Sequence, residues 1–233
     1  MKHAAYCGTR EIYDDMMTSA KSLIANSDVD LVHLIIEDDE FPYELPDMVR
    51  TINMAGQSFF EPDGPNMGSQ YTYMAMMRIA LCHVLDADKV LSLDADTIAV
   101  KDCSDLWDIP LDGCYLSASE EWHRTADGLQ YTNFGVVLYN LEKLRDGKAD
   151  ECIDVLNRRF FRWVEQDVGN YLCQGRIQPM PAKYNANFFT NKNVGECVIK
   201  HFAGVPRGQW LYEPEPVKYR NMTWDEVLAC REC

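Results

Sequence analysis

The fold is decided by the stretch Val90-Leu91-Ser92-Leu93-Asp94-Ala95-Asp96-Thr97, in which a run of apolar residues ends abruptly in two carboxylates one residue apart. The length and composition of the run predict a buried strand. Asp94 and Asp96 then project from the same face just past the carboxyl end of that strand, which is where open α/β sheets bind ligands. Two carboxylates so placed repel each other unless a cation lies between them. The stretch therefore predicts a site for a divalent metal that carries a phosphate-bearing ligand.

Two aspartates with this spacing also occur in other kinds of site. An EF-hand calcium loop needs further oxygen ligands and a glycine, but Ile98, Ala99 and Val100 follow here. A phosphatase with an aspartyl nucleophile also places such a pair after an apolar strand, with the first aspartate attacking phosphorus. That enzyme class stays open at this point, as does a protein that binds the phosphate-bearing ligand without catalysis.

Apolar segments with strand and helix periodicity alternate in the first half of the sequence, which is the pattern of a nucleotide-binding α/β sheet. The second half is mixed. The predicted strands are residues 4–7, 31–36, 90–93, 114–118, 135–139 and 198–202. The predicted helices are residues 16–24, 77–84, 150–161 and 166–172, and a capping box at Thr223 opens a final helix.

The 233 residues, with 47% hydrophobic content, can bury a substantial core, and no repeat or linker divides them. We therefore predict one α/β domain over residues 1–233, with a nucleotide-binding half at about 1–100 and a second half at about 101–215. Residues 216–233 are predicted to form a C-terminal helix or tail that contains Cys230 and Cys233. A zinc site needs a second cysteine pair or nearby histidines, so we expect a frayed, reduced end there instead.

The charge and cysteine content limit the possible functions. The formal net charge of −15 argues against sequence-independent binding of nucleic acid, which needs clustered Lys and Arg, and it disfavours an anionic membrane surface. No apolar stretch is long enough for an integral membrane segment, and the first residues lack the apolar core of a signal peptide. Nine cysteines without a framework spacing suit free thiols in a reducing compartment. We therefore predict a cytoplasmic protein.

His201 stands at the end of the last predicted strand and is followed by Gly204 and Arg207. A lone histidine beside apolar residues is usually a hydrogen-bonded core residue. In a sequence that also carries the Asp94 and Asp96 pair, His201 becomes a candidate nitrogen ligand for the same metal. The three side chains would leave open positions on the metal for the oxygens of a diphosphate. An imidazole ligand favours manganese over calcium or magnesium. Arg207 is then a candidate clamp for the diphosphate.

Five motifs follow one another along the sequence. They are Met77-Arg78-Ile79-Ala80-Leu81, Leu91-Ser92-Leu93-Asp94-Ala95-Asp96-Thr97, Tyr131-Thr132-Asn133-Phe134-Gly135-Val136-Val137-Leu138-Tyr139-Asn140-Leu141, Glu165-Gln166-Asp167, and His201-Phe202-Ala203-Gly204 with Arg207. In order and spacing they resemble glycosyltransferase family 8, the retaining enzymes of GT-A fold that use sugar nucleotides. The resemblance covers nearly the whole chain, and the succession of motifs makes it specific.

The resemblance implies a single GT-A domain with a mixed central sheet, in which residues of about 101–215 form the donor-sugar and acceptor half. It also implies a metal site made of Asp94, Asp96 and His201. The implied cofactor is Mn²⁺, with Mg²⁺ as the alternative. The implied catalytic residues are Gln166 and Glu165, beneath or beside the anomeric carbon of the donor sugar. The implied nucleotide-binding and sugar-binding residues are Gly8, Thr9, Arg10, Arg78, Ala95, Asn133, Gly204 and Arg207.

The implied activity is metal-dependent retaining transfer of a hexosyl group from a UDP-sugar, of the UDP-glucose or UDP-galactose type. Saccharide, lipid-linked and protein acceptors are all compatible with the motifs. The sequence departs from the family at a few positions, where Gly8-Thr9-Arg10 replaces an Asp-rich loop, Glu165 replaces Asp and Arg207 replaces Lys. Phe134 follows Asn133 where a small residue is usual, and we expect it to alter the donor-sugar pocket. Arg207 offers a bidentate fork in place of a point charge.

Overall fold

Nine strands form one large sheet and one small sheet in the computed structural model, which describes residues 1–69, 71–124, 128, 130–190 and 196–232. They are β1 (His3–Cys7), β2 (Leu31–Ile36), β3 (Val49–Asn53), β4 (Lys89–Leu93), β5 (Thr97–Ala99), β6 (Leu116–Arg124), β7 (Gln130–Asn140), β8 (Ile177–Pro179) and β9 (Ile199–His201). The large sheet has the order β3-β2-β1-β4-β7-β6-β8, and β5 pairs with β9. Strands β3, β2, β1 and β4 are parallel, whereas β7 is antiparallel to both β4 and β6. The central sheet is therefore mixed, as predicted.

Eight α-helices and four 3₁₀ helices connect the strands within the same described residues. The α-helices are α1 (Tyr13–Ala25), α2 (Tyr73–Val84), α3 (Leu141–Leu144), α4 (Lys148–Arg158), α5 (Val164–Leu172), α6 (Arg207–Trp210), α7 (Pro214–Asn221) and α8 (Trp224–Ala229). The 3₁₀ helices are Arg10–Ile12, Ser104–Asp108, Ala182–Asn185 and Cys230–Glu232. Every predicted strand and helix overlaps an observed one, and the predicted capping box at Thr223 is confirmed. The pattern did not predict β3, most of whose residues are exposed, or the three-residue strands β5 and β8.

The large sheet buries both of its faces, because alternate residues of a strand point to opposite sides. Ala4 and Tyr6 of β1 belong to one apolar core together with residues of α1. Ala5, between them, belongs to a second core that includes residues of α2, α4 and α5. Helices therefore cover the sheet on both sides in a three-layer arrangement. This double burial explains why β2 and β4 are mostly apolar and do not alternate with polar residues.

The carboxyl ends of β1, β2 and β4 meet at one edge of the large sheet, because these strands are parallel. Gly8 follows β1, Glu37 follows β2, and Asp94 follows β4 directly. Strand β4 lies on the opposite side of β1 from β2, so the strand order reverses between β1 and β4. An α/β sheet leaves a ligand-binding crevice at such a reversal. Asp94 and Asp96 therefore lie at the position that the sequence predicted.

The C-terminal residues pack against α1 and the first part of the chain. Asn26 Nδ2 donates a hydrogen bond to the Tyr219 hydroxyl at 2.7 Å. The Arg231 guanidinium donates to the backbone carbonyl of Val29 at 2.9 Å. The expected frayed end is therefore wrong for residues 230–232, which form a short 3₁₀ helix. Cys233 lies outside the described residues.

Two compositional predictions concern membranes and thiols. Within the part of the chain that the structure describes, no helix combines the length and the apolar character needed to cross a bilayer. The eight cysteines described there are free thiols, and four of them are buried, namely Cys82, Cys103, Cys152 and Cys173.

Phe134, the residue after Asn133, points into the core between β7 and α5. Its side chain is buried in the same core as Val168 of α5. The ring lies so close to Gly169 that a Cβ at residue 169 would be 2.5 Å from two of its carbon atoms. The missing side chain at Gly169 therefore makes room for the ring. The bulk of Phe134 is taken up by the core, and the expected effect on a donor-sugar pocket does not apply to this side chain.

Gly169→Ala is expected to destabilise the protein by about 1–3 kcal/mol, because the added methyl group overpacks the core. Phe134→Ala should cost about 3–5 kcal/mol through the cavity it leaves. In the double variant the methyl group meets no ring, so the two losses should be far from additive in urea denaturation. Gly208→Ala is the matched control, since a Cβ there meets no atom within 4 Å. Additive losses in the double-mutant cycle would show that the two residues do not constrain each other.

Candidate metal and nucleotide site

Asp94, Asp96 and His201 converge at the carboxyl edge of the large sheet, with Ala95 half-buried between the two aspartates. Each of the three offers one ligand atom, and these atoms lie within 4.8 Å of one another. His201 Nε2 is 3.3 Å from Asp96 Oδ1 and 3.6 Å from Asp94 Oδ2. The small sheet brings His201 here, because β9 pairs with β5 in a register that places His201 opposite Thr97. The structure therefore brings together the residues that the sequence grouped as metal ligands.

The donor set fits a divalent metal. The His201 side chain is 4% exposed, whereas the Asp94 and Asp96 side chains are 40% and 30% exposed, so the cluster opens to solvent on its carboxylate side. Burial lowers the pKa of His201, but the carboxylates of Asp96 and Asp94 raise it above its ordinary value. Burial raises the pKa of Asp94, although Arg78 and His201 oppose this effect. Two oxygen donors and one nitrogen donor around a common point suit Mn²⁺ or Mg²⁺.

Gly135 of β7 lies directly against the His201 ring. A Cβ at residue 135 would lie 2.0 Å from His201 Cε1, which is closer than two carbon atoms that are not bonded to each other can approach. The Gly135 carbonyl also accepts the backbone N–H of Asp94 at 2.8 Å. One glycine therefore positions two of the candidate ligands, and this close approach explains why the motif after Asn133 needs a glycine.

Arg78 of α2 is a buried cation behind the carboxylates. Its Nη1 donates to Asp94 Oδ1 at 2.6 Å and lies 3.4 Å from Glu165 Oε1. Its Nε donates to the Ser92 hydroxyl at 2.9 Å, and its Nη2 donates to the carbonyl of Phe134. Burial lowers the pKa of Arg78, but Asp94 and neighbouring groups raise it more, so the guanidinium stays charged. These contacts make Arg78 an orienting group for Asp94.

Glu165 and Gln166 lie in the first turn of α5. The carboxyl of Glu165 is the second acidic group beside Arg78. Burial raises the pKa of Glu165 to about 8 in spite of Arg78, so its carboxyl keeps its proton near neutral pH. Gln166 Oε1 accepts the backbone N–H of Phe134 at 2.9 Å, and its Nε2 donates to the Tyr131 hydroxyl at 3.1 Å. Both side chains are thus held in place by neighbouring protein groups.

Asn133 of β7 is buried and tied into the protein on both sides of its amide. Its Oδ1 accepts the backbone N–H of Gly135 at 3.0 Å and Nδ2 of Asn185 at 2.9 Å. Its Nδ2 donates to Glu121 Oε1 at 2.8 Å. The structure places Asn133 two residues along β7 from the glycine that contacts His201, and its contact with a donor sugar stays a prediction.

The residues expected to hold the base and ribose follow β1 at the same edge of the sheet. Gly8 is buried, and Thr9 is buried with its hydroxyl directed to Glu11 Oε2 at 3.2 Å. Arg10 is exposed, and its Nε lies 3.3 Å from Asp38 Oδ2. Because β1 pairs with β4, this loop lies beside the end of β4. Among the described residues, the side chains of Thr9 and Arg10 contact Glu11 and Asp38 and not the three candidate metal ligands.

Arg207, expected to clamp a diphosphate, is held by a carboxylate of α1. Its Nε and Nη2 donate to the two carboxylate oxygens of Asp15 at 2.7 and 2.9 Å. The Asp15 side chain is 4% exposed, whereas that of Arg207 is 49% exposed. Burial raises the pKa of Asp15 although Arg207 opposes it. Gly204 precedes Arg207 at a φ of 75°, a left-handed conformation that favours glycine in this turn.

Sequence reasoning missed three polar residues around the site, namely Asp15, Glu121 and Asn185. Each contacts a residue that the motifs did single out, and each comes from a distant part of the chain. Their local sequence carries no spacing that indicates these contacts. The feature that sets these three residues apart is that their polar side chains are buried, and burial is known only from the structure.

The fold is that of a GT-A glycosyltransferase. The galactosyltransferase LgtC, solved in complex with donor and acceptor sugar analogs, is similar with a TM-score of 0.67 and 18% identity, over 98% of this chain and 99% of that one. The glycosyltransferase GlyE of Streptococcus pneumoniae TIGR4 is similar with a TM-score of 0.72 and 20% identity, over 98% of this chain and 62% of that one. The predicted GT-A fold with a mixed central sheet is therefore confirmed.

The family model of glycosyl transferase family 8 matches residues 3–206, and the chain belongs to that family. A putative glycosyltransferase of Haemophilus influenzae is 23% identical over 177 residues, 64% of this chain and 53% of that protein. The lipopolysaccharide 1,2-glucosyltransferase of Escherichia coli K12 is 27% identical over 175 residues, 61% of this chain and 52% of that protein. The chain thus spans about half the length of these curated relatives. The family assignment decides against the aspartyl-phosphatase interpretation.

Gly135→Ala is expected to weaken Mn²⁺ binding by about 10–100-fold, the range typical of losing a group that orients a metal ligand. The reason is that the added methyl group cannot occupy the space of the His201 ring. Calorimetric titration of the variant with Mn²⁺ alone measures the effect, and Gly208→Ala is the control with open space at its Cβ. Equal affinity in Gly135→Ala and the parent protein would contradict the placement of His201 against β7.

Glu165→Gln is expected to remove a pH dependence of stability. The folded protein keeps the Glu165 proton up to about pH 8, whereas the unfolded chain loses it near its ordinary value of 4.5. The folded state therefore binds more protons between these values, and the free energy of unfolding falls as pH rises through this window. Thermal melts from about pH 5 to about pH 8 should show the variant gaining stability relative to the parent. A gap between variant and parent that stays constant with pH would refute the assignment, and Glu142→Gln is the control for the same substitution at an exposed position.

Proposed function

We propose that the protein is a metal-dependent retaining glycosyltransferase that moves a hexosyl group from a UDP-sugar, of the UDP-glucose or UDP-galactose type, to a saccharide, lipid-linked or protein acceptor. The observation that carries the proposal is the convergence of Asp94, Asp96 and His201 within 4.8 Å, at the crevice where the strand order reverses. Family membership supports the reaction class. The named activities of two relatives, a glucosyltransferase and a galactosyltransferase, support a hexosyl donor.

Asp94, Asp96 and His201 are the residues that would hold Mn²⁺, or Mg²⁺ in its place. The bound cation would act as a Lewis acid toward the leaving diphosphate. Arg78 keeps Asp94 oriented from the core side, through its 2.6 Å hydrogen bond. Gly204 and Arg207 would close over the diphosphate, where the planar fork of an arginine suits two phosphate oxygens.

The nucleoside would lie against Gly8, Thr9, Arg10 and Ala95, at the carboxyl ends of β1 and β4. This position follows from the parallel pairing of these two strands, which puts their following loops side by side. Uridine is proposed from the family resemblance. A cytoplasmic location likewise stays a prediction from composition.

Gln166 and Glu165 would act on the sugar side of the reaction. As the bond to the diphosphate breaks, positive charge develops on the anomeric carbon, and Gln166 Oε1 is the group that we assign to stabilise it. Glu165 is less suited to attack the sugar, because burial keeps its pKa at about 8 and a protonated carboxyl is a poor nucleophile. The proposed role of Glu165 is to hold Arg78, whose Nη1 lies 3.4 Å from Glu165 Oε1, beside the donor sugar.

Calorimetric titration of UDP into the protein is expected to show tight binding with Mn²⁺ and a large loss with a chelator. Asp94→Ala/Asp96→Ala should lose the metal-dependent part of the binding. Asp112→Ala/Asp146→Ala is the matched control, since it removes the same charge at two exposed positions. Equal binding with and without metal, or in the two double variants, would contradict the proposed metal site.

Gln166→Ala separates an enzyme from a protein that only binds sugar nucleotides. If Gln166 acts in the transition state, the variant should hydrolyse a UDP-sugar at least about 100-fold more slowly, while its UDP affinity changes little. A panel of UDP-sugars without added acceptor gives the rate of slow hydrolysis. Absence of turnover in the parent protein with every donor would favour the binding protein.

A further inference from the structure

We propose that Asn185 is a positioning residue that fixes the ring tautomer of His201, with the proton on Nδ1 and the lone pair of Nε2 facing Asp94 and Asp96. This inference rests on the proposed metal site, because only a nitrogen with a free lone pair binds a metal ion. A chain of buried hydrogen bonds runs from Glu121 through Asn133 and Asn185 to His201.

The orientation of the Asn133 amide is fixed by the backbone. The N–H of Gly135 lies 3.0 Å from one atom of this amide, and a backbone N–H can only donate, so that atom is the oxygen Oδ1. The nitrogen Nδ2 then faces the carboxylate of Glu121 at 2.8 Å, which can accept its hydrogen. Both contacts agree, and the amide of Asn133 presents its oxygen to Asn185.

The orientation of the Asn185 amide follows from that of Asn133. Asn185 Nδ2 lies 2.9 Å from Asn133 Oδ1 and 3.3 Å from the Asn133 carbonyl oxygen, and both of these atoms accept hydrogen bonds. The Asn185 oxygen is therefore directed the other way, 2.8 Å from His201 Nδ1. An amide oxygen has no hydrogen to give, so the proton of this bond belongs to His201 Nδ1.

Asn187 is the one competitor for His201 Nδ1 in the distances described. Its amide is also fixed by the backbone, because its Oδ1 accepts the N–H groups of Phe189 and Thr190 at 2.8 and 3.1 Å. Its Nδ2 lies 3.2 Å from His201 Nδ1, a contact that would need the opposite tautomer. The same Nδ2 is 3.0 Å from Asn185 Oδ1 and 3.2 Å from the Asn185 carbonyl oxygen, which together accept both of its hydrogens. The shorter bond to Asn185 therefore decides the tautomer.

Because this chain of hydrogen bonds is buried, water does not compete for its donors and acceptors. Asn185 is 0% exposed, and Glu121, Asn133 and Asn187 are each buried, so water cannot replace a lost partner without cavity formation. With Nδ1 protonated, a neutral His201 directs its Nε2 lone pair to the space that it shares with the oxygens of Asp94 and Asp96, where a cation would lie among the three donors. Partners that hold the second ring nitrogen in this way commonly orient metal-binding histidines. In this protein the partner of the second ring nitrogen is Asn185, and the amide of Asn185 is in turn oriented by Asn133 of β7.

The test combines metal affinity with a direct reading of the ring. Asn185→Leu removes the acceptor at similar volume and should weaken binding of Mn²⁺ alone by about 10–100-fold in calorimetric titration. Asn185→Asp keeps an acceptor oxygen toward Nδ1 but turns its second oxygen to Asn133 Oδ1, so it should recover only part of the affinity. Asn66→Leu is the matched control, because Asn66 is equally buried and makes three hydrogen bonds far along the chain from His201. It should lower the melting temperature and leave metal affinity unchanged.

Nitrogen NMR of protein with ¹⁵N-labelled histidine reads the tautomer itself. In the Mg²⁺-loaded parent protein His201 should carry its proton on Nδ1. In metal-free Asp94→Ala/Asp96→Ala protein, which has no carboxylate acceptor at Nε2, the neutral ring should keep that tautomer, and Asn185→Leu in the same background should shift it toward the other one. A parent ring protonated on Nε2, or a tautomer that changes in Asn187→Leu and not in Asn185→Leu, would overturn the proposal. If no variant or parent binds metal, the proposed function fails, while the metal-free spectra still decide the role of Asn185.

Discussion

The repulsion between two carboxylates at the end of β4 is the constraint on which the site depends. Asp94 meets the guanidinium of Arg78 from α2, and Asp96 meets the imidazole of His201 from the small sheet. Two unit charges 4 Å apart interact by about 4 kcal/mol at an effective dielectric constant of about 20. That is a large part of the roughly 5–15 kcal/mol by which a domain is stable. Helix α2 behind β4 and the β5–β9 ladder beside it each bring a basic side chain to the end of this strand, and together these side chains offset the repulsion.

Much of the fold was predictable because its signals are local. A strand buried on both faces reads as an apolar run, and Asp94 follows β4 without an intervening residue, so the sequence alone placed it at the carboxyl edge. The grouping of His201 with the aspartates came from the succession of motifs, since nothing near His201 indicates β9 pairing with β5. Strand β3 escaped prediction because its exposed residues lack the apolar pattern that a covered strand carries.

The rest of the site could not be predicted because it consists of contacts between distant segments. Asp15 has the ordinary sequence of an acidic helix start, yet it holds Arg207 from near the other end of the chain. Phe134 suggested a changed pocket because the sequence does not show which side of β7 a bulky ring takes. In the structure the ring packs against α5, where Gly169 has no side chain and leaves room for it. Long-range packing of this kind leaves no periodicity to read.

The bidentate bond between Arg207 and Asp15 couples two charges of very different exposure. An anion that displaced Asp15 from the guanidinium would leave behind a carboxylate whose side chain is 4% exposed. Burial already holds the pKa of this carboxyl above its ordinary value with the arginine in place, so loss of the arginine would drive it toward protonation. Such a displacement would therefore take up a proton, and acid would then favour the anion over Asp15 as the partner of the arginine.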